Sequence, residues 1–277
     1  MSRTIAITGA TDGLGRALAL RLASADVRLV LHGRDAGKVE QVAAEVQGAG
    51  GAAPVTATAD LAELAQVSTL ADTISSNVDR LDVLVNNAGI GSGEPDGRER
   101  RTSADGHELR FAVNYLATFA LTEDLLPLLR SSAAEGRSAR VVHVASLAQD
   151  QLDFDDLMLE RDYSGSRAYG QSKLAQIMHS FDLAERFAPT ELAATCLHPA
   201  TFMPTKIVLS EVGRSSDSLE TGVEATRRLA VDESLEGVTG QFFDRLRPAR
   251  AHAQAYDAEA RATLRARTLA LVRTSDG

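Results

Sequence analysis

The sequence predicts an α/β fold: a doubly wound parallel sheet with helices on both faces, in a single domain that spans residues 1–277. Three observations predict it. Short apolar runs rich in β-branched residues alternate along the chain with longer segments of helical period. Several of these runs are apolar on successive residues, as in strands that are covered on both faces. The chain is also long enough to bury an ample core, and it contains no internal repeat and no long linker.

The predicted elements follow one another in a regular order. Strands are predicted at Thr4–Thr8, Val27–Leu31, Pro54–Thr58, Leu81–Asn86, Arg140–Ala145, Ala193–Leu197 and Gln241–Asp244. Helices are predicted at Leu14–Ala25, Gly37–Gln47, Leu61–Asn77, Glu108–Arg130, Ala168–Phe187 and Leu219–Val231, with a last one at the end of Ala249–Val272. Polar stretches predict a surface loop at Gly89–Gly106, an insertion at about 149–167 and a substrate flap at about 200–218.

Composition and charge exclude several classes of protein. The chain has 29 basic and 38 acidic residues and a net charge of −9, which makes it a poor candidate for nucleic-acid binding. It has no apolar run of 18 residues, and the apolar stretch at its N-terminus is too short for a signal peptide. Cys196 is the only cysteine, so no intramolecular disulfide or cysteine metal cluster is expected. We therefore expect a cytoplasmic protein without a metal ion, and with neither nucleic acid nor membrane as a partner.

A glycine-rich turn follows the first predicted strand and leads into the first predicted helix. Glycines allow a tight turn and let backbone N–H groups approach a pyrophosphate, while the helix directs its positive end at the anion. Such a pattern alone also occurs in ordinary strand-to-helix turns, but the strand before it and the helix after it are the context that dinucleotide binding requires. The turn therefore predicts nucleotide binding at Gly9, Thr11, Asp12, Gly13, Leu14 and Gly15.

The end of the second predicted strand indicates which dinucleotide is bound. An NAD site normally has an acidic side chain there for the ribose 2′-hydroxyl, and His32 and Gly33 offer none. Arg34 can instead pair with a 2′-phosphate. Asp35 is an alternative acidic partner, but it lies one step further on and suits helix N-capping. These residues favour NADP(H) over NAD(H).

A tyrosine and a lysine lie four residues apart at the start of a predicted helix. Residues at i and i+4 share a helix face, and the Lys173 ammonium would lower the pKa of the Tyr169 phenol, so that it exchanges a proton near neutral pH. The chain has only three lysines and four tyrosines, so this spacing is expected by chance only about 0.04 times. Ser146 ends a predicted strand at the edge that faces the ligand crevice, where its hydroxyl could hydrogen-bond a carbonyl oxygen.

Taken together, these residues resemble the short-chain dehydrogenase/reductase family. The motifs stand in the family's order: Thr8-Gly9-x3-Gly13-x-Gly15, Asp60-Leu61, Asn86-Asn87-Ala88-Gly89, Asn114, Ser146 and Tyr169-x3-Lys173. The resemblance implies a Rossmann-fold oxidoreductase that uses NAD(P). It assigns Asp60, with Leu61 after it, to the adenine and Asn87-Ala88-Gly89 to the wall beside the cofactor. It assigns Asn114 to a water that links Lys173 to solvent.

The spacing narrows the resemblance to the branch of retinol dehydrogenase and light-dependent protochlorophyllide reductase. Ser146 and Tyr169 are 23 residues apart, and the stretch Asp153–Leu157 between them is similar to that branch. Arg34 matches the basic position of its NADP-preferring members.

The chain departs from the family's pattern at two places. The family usually has Pro-Gly after the sixth strand, where this chain has His198-Pro199-Ala200. Pro199 and either Thr201 or Thr205 are therefore the expected contacts of the nicotinamide end. Asp12 replaces a basic residue of some NADP-dependent members, which leaves Arg34 as the main phosphate ligand.

The expected reaction is reversible reduction of a ketone or aldehyde by NADPH, with Asn114, Ser146, Tyr169 and Lys173 as the catalytic set. Reduction of a carbon–carbon double bond is the alternative within the fold. A non-catalytic NADP-sensing protein is the alternative of another class, although it would not need the serine, tyrosine and lysine together. Candidate pocket residues indicate a mainly apolar small-molecule substrate, with a secondary metabolite as one candidate: Leu147, Ala148, Tyr163, Phe202 and Met203.

The oligomeric state is open between monomer and homodimer. The family often dimerises through the two long helices that correspond to Glu108–Arg130 and Ala168–Phe187. The acidic insertion at about 149–167 could block that contact.

Overall fold

A single sheet of eight strands organises the residues that the computed structural model describes, which are 3–93, 97–134, 137–205 and 213–273. The strands are β1 Arg3–Ile7, β2 Val27–Gly33, β3 Val55–Thr58, β4 Val83–Asn86, β5 Ala139–Val144, β6 Leu192–His198, β7 Gln241–Asp244 and β8 Arg247–Ala249. Their order is β3-β2-β1-β4-β5-β6-β7-β8. All pairs are parallel except β7 with β8. The predicted parallel sheet is confirmed, and the antiparallel edge strand β8 is a feature that the sequence pattern does not predict.

Helices cover both faces of this sheet, as the alternation predicts. They are α1 Gly13–Leu22, α2 Ala36–Gly48, α3 Leu64–Asn77, α4 Ala117–Ser132, α5 Gly165–Arg186, α6 Leu219–Val231 and α7 Ala258–Arg273. A π-helical segment, Phe111–Leu116, leads into α4. Short 3₁₀ turns lie at Glu233–Leu235 and Ala253–Tyr256.

The predicted helix Glu108–Arg130 is observed as the π-helical segment followed by α4. The helices α3 and α5 begin three residues from their predicted starts, because side chains cap their first turns. Asp60 makes a turn of its own by accepting a hydrogen bond from the backbone N–H of Ala62 at 2.9 Å. The carboxylate of Asp105 then accepts from the N–H of Leu64 at 3.0 Å, and α3 begins there. The N-cap residue of α5, Ser164, moves the start of that helix to Gly165, so Tyr169 lies one turn inside it.

The core lies on both faces of the sheet. Ile5 and Ile7 pack in the cluster that includes residues of α1, α2 and α6, whereas Ala6 packs on the other face with residues of α3 and α4. This alternation is the two-residue period of a strand that is buried on both sides. A third cluster joins α5 to α7 and to the π-helical segment.

The strand order places one crevice at the carboxyl edge of the sheet. β1 lies between β2 and β4, so the chain leaves β1 in one direction for β2 and β3 and crosses to the other side for β4. In open α/β sheets, ligands bind outside the carboxyl ends of the strands at this reversal. The glycine-rich turn follows β1, Asn87 follows β4, Ser146 follows β5 and Pro199 follows β6, so the predicted site residues lie along the same edge.

The C-terminal helix α7 packs on α5 and on the segment that precedes α4. The hydroxyl groups of Tyr115 and Thr268 form a 2.8 Å hydrogen bond, Arg261 pairs with Glu185, and Leu264 is buried. The insertion also contributes to the core, because its Leu152, Leu157 and Leu159 are buried. The helices that the sequence analysis considered for dimer contact are thus partly covered by the chain's own C-terminal helix.

Within the described residues, no helix is both long enough and apolar enough to cross a bilayer. The same residues include no group of three or more His, Cys, Asp or Glu side chains that could hold a metal ion. Cys196 is buried, and burial raises the pKa of its thiol well above the usual range.

Candidate active site

The glycine-rich turn joins β1 to α1 by a close approach of backbone to backbone. Gly9 and Gly13 have φ angles of 65° and 48°, in the region that favours glycine. A Cβ atom at Gly9 would lie 2.9 Å from Cα of Ala88, and one at Gly15 would lie 2.2 Å from the carbonyl oxygen of Gly9. The N-terminus of α1 therefore presents bare backbone to the crevice, which fits a dinucleotide pyrophosphate.

His32 holds this turn in place, a role that the sequence analysis missed. Its Nδ1 accepts the backbone N–H of Gly9 at 3.3 Å, and its Nε2 lies 3.1 Å from the carbonyl oxygen of Ala59. Burial lowers the pKa of the imidazole, so the neutral ring can accept from Gly9 and donate to Ala59. A histidine directly after the apolar residues Leu29–Leu31 was the available signal, but its partners on two other segments were not visible in the sequence.

Three other residues of the turn have side chains that contact the protein itself. The carboxylate of Asp12 accepts the N–H of Gly13 at 2.7 Å and so caps α1. The methyl group of Thr11 fills the space where a Cβ at Gly33 would lie, only 2.4 Å away. Leu14 is buried in the core, so its predicted contact with a cofactor could involve only its backbone.

The side chains that follow β2 and β3 differ in how free they are to meet a ligand. Asp35 accepts the N–H of Lys38 at 3.1 Å and caps α2, as its sequence position suggested. Arg34, next to it, is exposed. Asp60 already accepts from Ala62, and the adjacent Leu61 is buried. Arg34 is therefore an exposed cation directly after the end of β2, while the acidic side chain next to it is engaged in a helix cap.

The segment after β4 is tied to the glycine-rich turn. Thr8 Oγ1 accepts the backbone N–H groups of Asn87 and Ala88, both at 3.0 Å. The side-chain amide of Asn87 donates to the carbonyl oxygens of Thr8 and Gly9 at 2.9 and 3.2 Å. Residues Asn87 to Gly89 thus form one wall beside the turn. Their assignment to the cofactor, which the family resemblance implies, stays a prediction.

Asn114 holds the next residue of this wall from the π-helical segment. Its Oδ1 accepts the N–H of Ile90 at 2.8 Å, and its Nδ2 donates to the carbonyl oxygen of Ile90 at 3.1 Å and to Ser172 Oγ at 2.9 Å. The side chain of Asn114 is therefore committed to the protein. The main-chain carbonyl oxygen of Asn114 accepts the hydroxyl of Thr118 at 2.8 Å, and the water that the resemblance assigns to Asn114 stays a prediction.

Lys173 and Tyr169 lie on the inner face of α5. Lys173 Nζ is 5.7 Å from the centre of the Tyr169 ring, and it donates to the carbonyl oxygen of Val144 and to Gln176 Oε1, both at 2.9 Å. Burial lowers the pKa of Lys173 to about 7. A Cβ at Gly89 would lie 3.5 Å from Lys173 Nζ and 3.0 Å from Asn114 Oδ1. The fold thus brings the wall, the lysine and the tyrosine together.

Ser146 completes this group from the end of β5, two residues beyond the carbonyl group that holds Lys173. It is buried, and its Oγ accepts the N–H of Ala148 at 3.1 Å. A hydroxyl that accepts in this way still has its own hydrogen to donate. Ser146 can therefore serve as a donor to an oxygen atom in the crevice.

The base of the predicted flap is closed by a polar cluster. The N–H of Thr201 donates to Asp217 Oδ2 at 2.7 Å, and Arg245 Nη2 donates to the same oxygen at 2.6 Å. Thr201 Oγ1 also contacts His198 Nε2 at 3.0 Å. In contrast, Thr205 lies beside the glycine-rich turn, since a Cβ at Gly13 would be 3.1 Å from its Cγ2. Which of the two threonines contacts the nicotinamide end stays a prediction, and residues 206–212 of the flap lie outside the described residues.

The five candidate pocket residues do not share one environment. Leu147 and Phe202 are large apolar side chains with 48% and 45% of their surface exposed, and Ala148 is exposed as well. Met203 is instead buried in the core against Gly222, where a Cβ would meet its sulfur at 2.3 Å. The hydroxyl of Tyr163 accepts from Arg110 at 2.5 Å. The sequence analysis therefore grouped with the pocket two residues whose observed contacts are with the protein interior.

Comparison with known proteins identifies the family. The family model for short chain dehydrogenase matches residues 3–212. Retinol dehydrogenase 14 of Mus musculus is 34% identical over 266 residues, which cover 87% of this chain and 77% of the relative. The protein described as "Putative daunorubicin C-13 ketoreductase DnrU" of Streptomyces sp. (strain C5) is 39% identical over 200 residues, which cover 71% and 65%. Among solved structures, the RhlG/NADP active-site complex of Pseudomonas aeruginosa aligns with a TM-score of 0.69 and 26% identity over 87% of this chain and 94% of that one.

The family match agrees with the fold and with the crevice. The matched region spans β1 to β6 and includes the glycine-rich turn, the wall after β4, Ser146 and the tyrosine–lysine pair. Because this match covers well over half of the chain, the chain belongs to the short-chain dehydrogenase/reductase family, in its retinol dehydrogenase-like branch, and is a Rossmann-fold oxidoreductase that uses a nicotinamide cofactor to interconvert alcohol and carbonyl groups.

Proposed function

We propose that the protein is an NADP(H)-dependent ketoreductase that acts, reversibly, on the carbonyl group of a mainly apolar small molecule. The observation that carries the proposal is the convergence of Tyr169, Lys173 and the wall at Gly89 at one edge of the sheet. Ser146 lies at the same edge, two residues beyond the Val144 carbonyl group that holds Lys173. These groups match the requirements of proton transfer to a carbonyl oxygen beside a bound dinucleotide.

The cofactor preference is argued from charge. The crevice has the backbone cradle that a dinucleotide needs, at Gly9, Gly13 and Gly15. Arg34 is exposed beside it, while Asp35, the acidic residue that could serve a ribose hydroxyl, is engaged as the cap of α2. A guanidinium binds a 2′-phosphate by charge-assisted hydrogen bonds, and this supports NADP(H) over NAD(H). The similar Pseudomonas aeruginosa structure is an NADP complex.

In the proposed mechanism, the residues of this chain position and protonate the carbonyl oxygen. When bound, the nicotinamide supplies the hydride. Ser146 donates its hydroxyl hydrogen to the carbonyl oxygen, because its Oγ is already an acceptor toward Ala148. Tyr169 gives its phenolic proton to the same oxygen as negative charge develops there. Lys173, held by Val144 and Gln176, lies beside the phenol ring, and in its protonated form it can restore the proton of the phenol.

The proposed substrate class rests on the apolar groups at the crevice. Leu147 follows Ser146 directly and Phe202 follows the end of β6, and both expose large apolar surfaces. Such surfaces are typical of a site that binds an apolar ligand. The relatives are named for retinol and for the C-13 ketone of daunorubicin, which makes a secondary-metabolite ketone our candidate. We further propose that the chain acts as one domain in the cytoplasm.

A panel of carbonyl compounds tests this function. The oxidation of NADPH and of NADH is followed by absorbance with polar and apolar ketones and aldehydes, and the products are identified. The proposal expects an alcohol product, faster turnover of apolar ketones and preference for NADPH. Reduction of a carbon–carbon bond, or binding of NADPH without turnover of any compound, would contradict it.

A further inference from the structure

A buried arginine forms hydrogen bonds with the segment that follows the wall at Asn87 to Gly89. Arg110 lies four residues before Asn114, and its side chain is fully buried. Its Nε donates to the carbonyl oxygen of Gly91 at 2.8 Å, and its Nη2 donates to that of Ser92 at 2.7 Å. Its Nη1 donates to the hydroxyl oxygen of Tyr163 at 2.5 Å. One guanidinium therefore joins two separate segments of the chain.

A buried carboxylate accompanies this arginine. Glu108 is 1% exposed, and its Oε1 lies 3.7 Å from Arg110 Nη1. The same oxygen accepts the hydroxyl of Tyr163 at 3.3 Å, while Oε2 accepts the N–H of Phe111 at 2.7 Å. Removing two charges from water is costly, so a fold keeps such a pair only with good geometry and added hydrogen bonds. Here each member has at least two partners.

The two segments that Arg110 joins are the two sides of the proposed site. Gly91 and Ser92 continue the wall from Ile90, which Asn114 holds. Tyr163 precedes α5, which bears Tyr169 one turn further on. The join is tight, because a Cβ at Gly165 would lie 2.0 Å from the carbonyl oxygen of Ser92.

We propose that Arg110 is a positioning residue: with Glu108 and Tyr163 it fixes the distance between the wall beside the nicotinamide and the first turns of α5. This proposal rests on the proposed function, since it acts through Tyr169. Tyr163, which the sequence analysis placed in the substrate pocket, serves this same join. A displacement of about 1 Å between reacting groups can cost about a hundredfold in rate, so the join affects turnover without touching the substrate.

The contacts of Arg110 require a planar guanidinium, which donates to three acceptors at once. A lysine keeps the charge, but its compact ammonium cannot reach three acceptors that lie in different directions. For Arg110→Lys we expect kcat to fall by about 10- to 100-fold. Tyr163→Phe removes one acceptor and should lower kcat by a smaller factor. The dissociation constant of NADPH should change less than about twofold in both, because the cradle at Gly9 to Gly15 is untouched.

The test measures kcat, KM for the best carbonyl substrate, the NADPH dissociation constant and the melting temperature for both variants. Arg130→Lys is the matched control, since Arg130 lies on α4, is half exposed and pairs with Glu191 at the surface. A fall in kcat with unchanged NADPH binding, absent from the control, supports the proposal. A lower melting temperature with unchanged kcat and KM would overturn it. If Arg110→Lys does not fold, the same measurements on Tyr163→Phe test the proposal. A fall in kcat with unchanged NADPH binding supports it, and unchanged kcat and KM overturn it.

The failure of this inference differs from the failure of the proposed function. If the wild-type protein reduces ketones, Tyr169→Phe does not, and both Arg110→Lys and Tyr163→Phe match the wild type, then only the positioning role is wrong. If the wild type reduces none of the ketones, the proposed function is wrong and this inference fails with it.

Discussion

Replacing Lys173 with methionine separates the stability cost of a buried ammonium from its use in the reaction. Lys173 is 5% exposed, and burial lowers the pKa of its ammonium from the ordinary value of 10.5 to about 7. Its two hydrogen-bond partners, the carbonyl oxygen of Val144 and Gln176 Oε1, are neutral and do not replace the hydration of a full charge. Methionine fills a similar volume without that charge.

The sign and size of the effect follow from proton binding. In the unfolded chain Lys173 keeps its proton up to about pH 10.5, whereas the folded protein loses it near pH 7. Between these values the unfolded state binds one more proton, so the free energy of unfolding rises with pH by about 1.4 kcal/mol per unit. Lys173→Met lacks this contribution. From about pH 7.5 to 9.5 the wild type should therefore gain about 2.5 kcal/mol relative to the variant.

Urea unfolding at several pH values measures this difference. Below about pH 7 the variant should be the more stable protein by up to about 4 to 5 kcal/mol, reduced by about 1 kcal/mol for each lost hydrogen bond. Lys38→Met is the matched control, because Lys38 is exposed on α2 and its variant should follow the wild-type pH dependence. Parallel stability curves for the wild type and Lys173→Met would refute the reasoning. The same variant should lose ketone reduction.

Three further predictions concern the cofactor site and the assembly. Arg34→Ala should raise the KM for NADPH by about 10- to 100-fold and leave the KM for NADH nearly unchanged, and equal effects on both would contradict the role of Arg34. Gly15→Ala should lower the affinity for NADPH more than tenfold in a fluorescence titration, because the added Cβ would lie 2.2 Å from the carbonyl oxygen of Gly9. The control Gly48→Ala has open space around its Cβ and should bind NADPH with wild-type affinity. Light scattering should give the 29.4 kDa mass of one chain, because α7 covers part of α5 and of the π-helical segment before α4, and a stable dimer through α4 and α5 would overturn this expectation.

Much of the fold could be predicted because it depends on local patterns. The alternation of apolar runs and helical segments is a local signal, and so is the spacing of Tyr169 and Lys173 on one helix face. The glycine-rich turn is partly local too, since a Cβ at Gly15 would meet the carbonyl oxygen of Gly9, whereas one at Gly9 would meet the distant Ala88. The edge strand β8 was missed because three residues, including Pro248, give no recognisable period.

The parts of the site that could not be predicted depend on contacts between distant segments. His32 reaches Gly9 across 23 residues, and Arg110 reaches Tyr163 across 53. A sequence pattern indicates which face of an element is buried, but not which polar group meets it there. Tyr163 and Met203 were assigned to the pocket by their positions near catalytic segments, and their contacts with the interior became visible only in the folded chain.

The reaction of Tyr169→Phe tests the central claim most directly. NADPH oxidation with the best ketone and the NADPH dissociation constant are measured side by side for the wild type and the variant. The account predicts a loss of turnover of about a thousandfold with NADPH affinity changed less than about threefold, because only the proton donor is removed. Retention of wild-type turnover in Tyr169→Phe would contradict it.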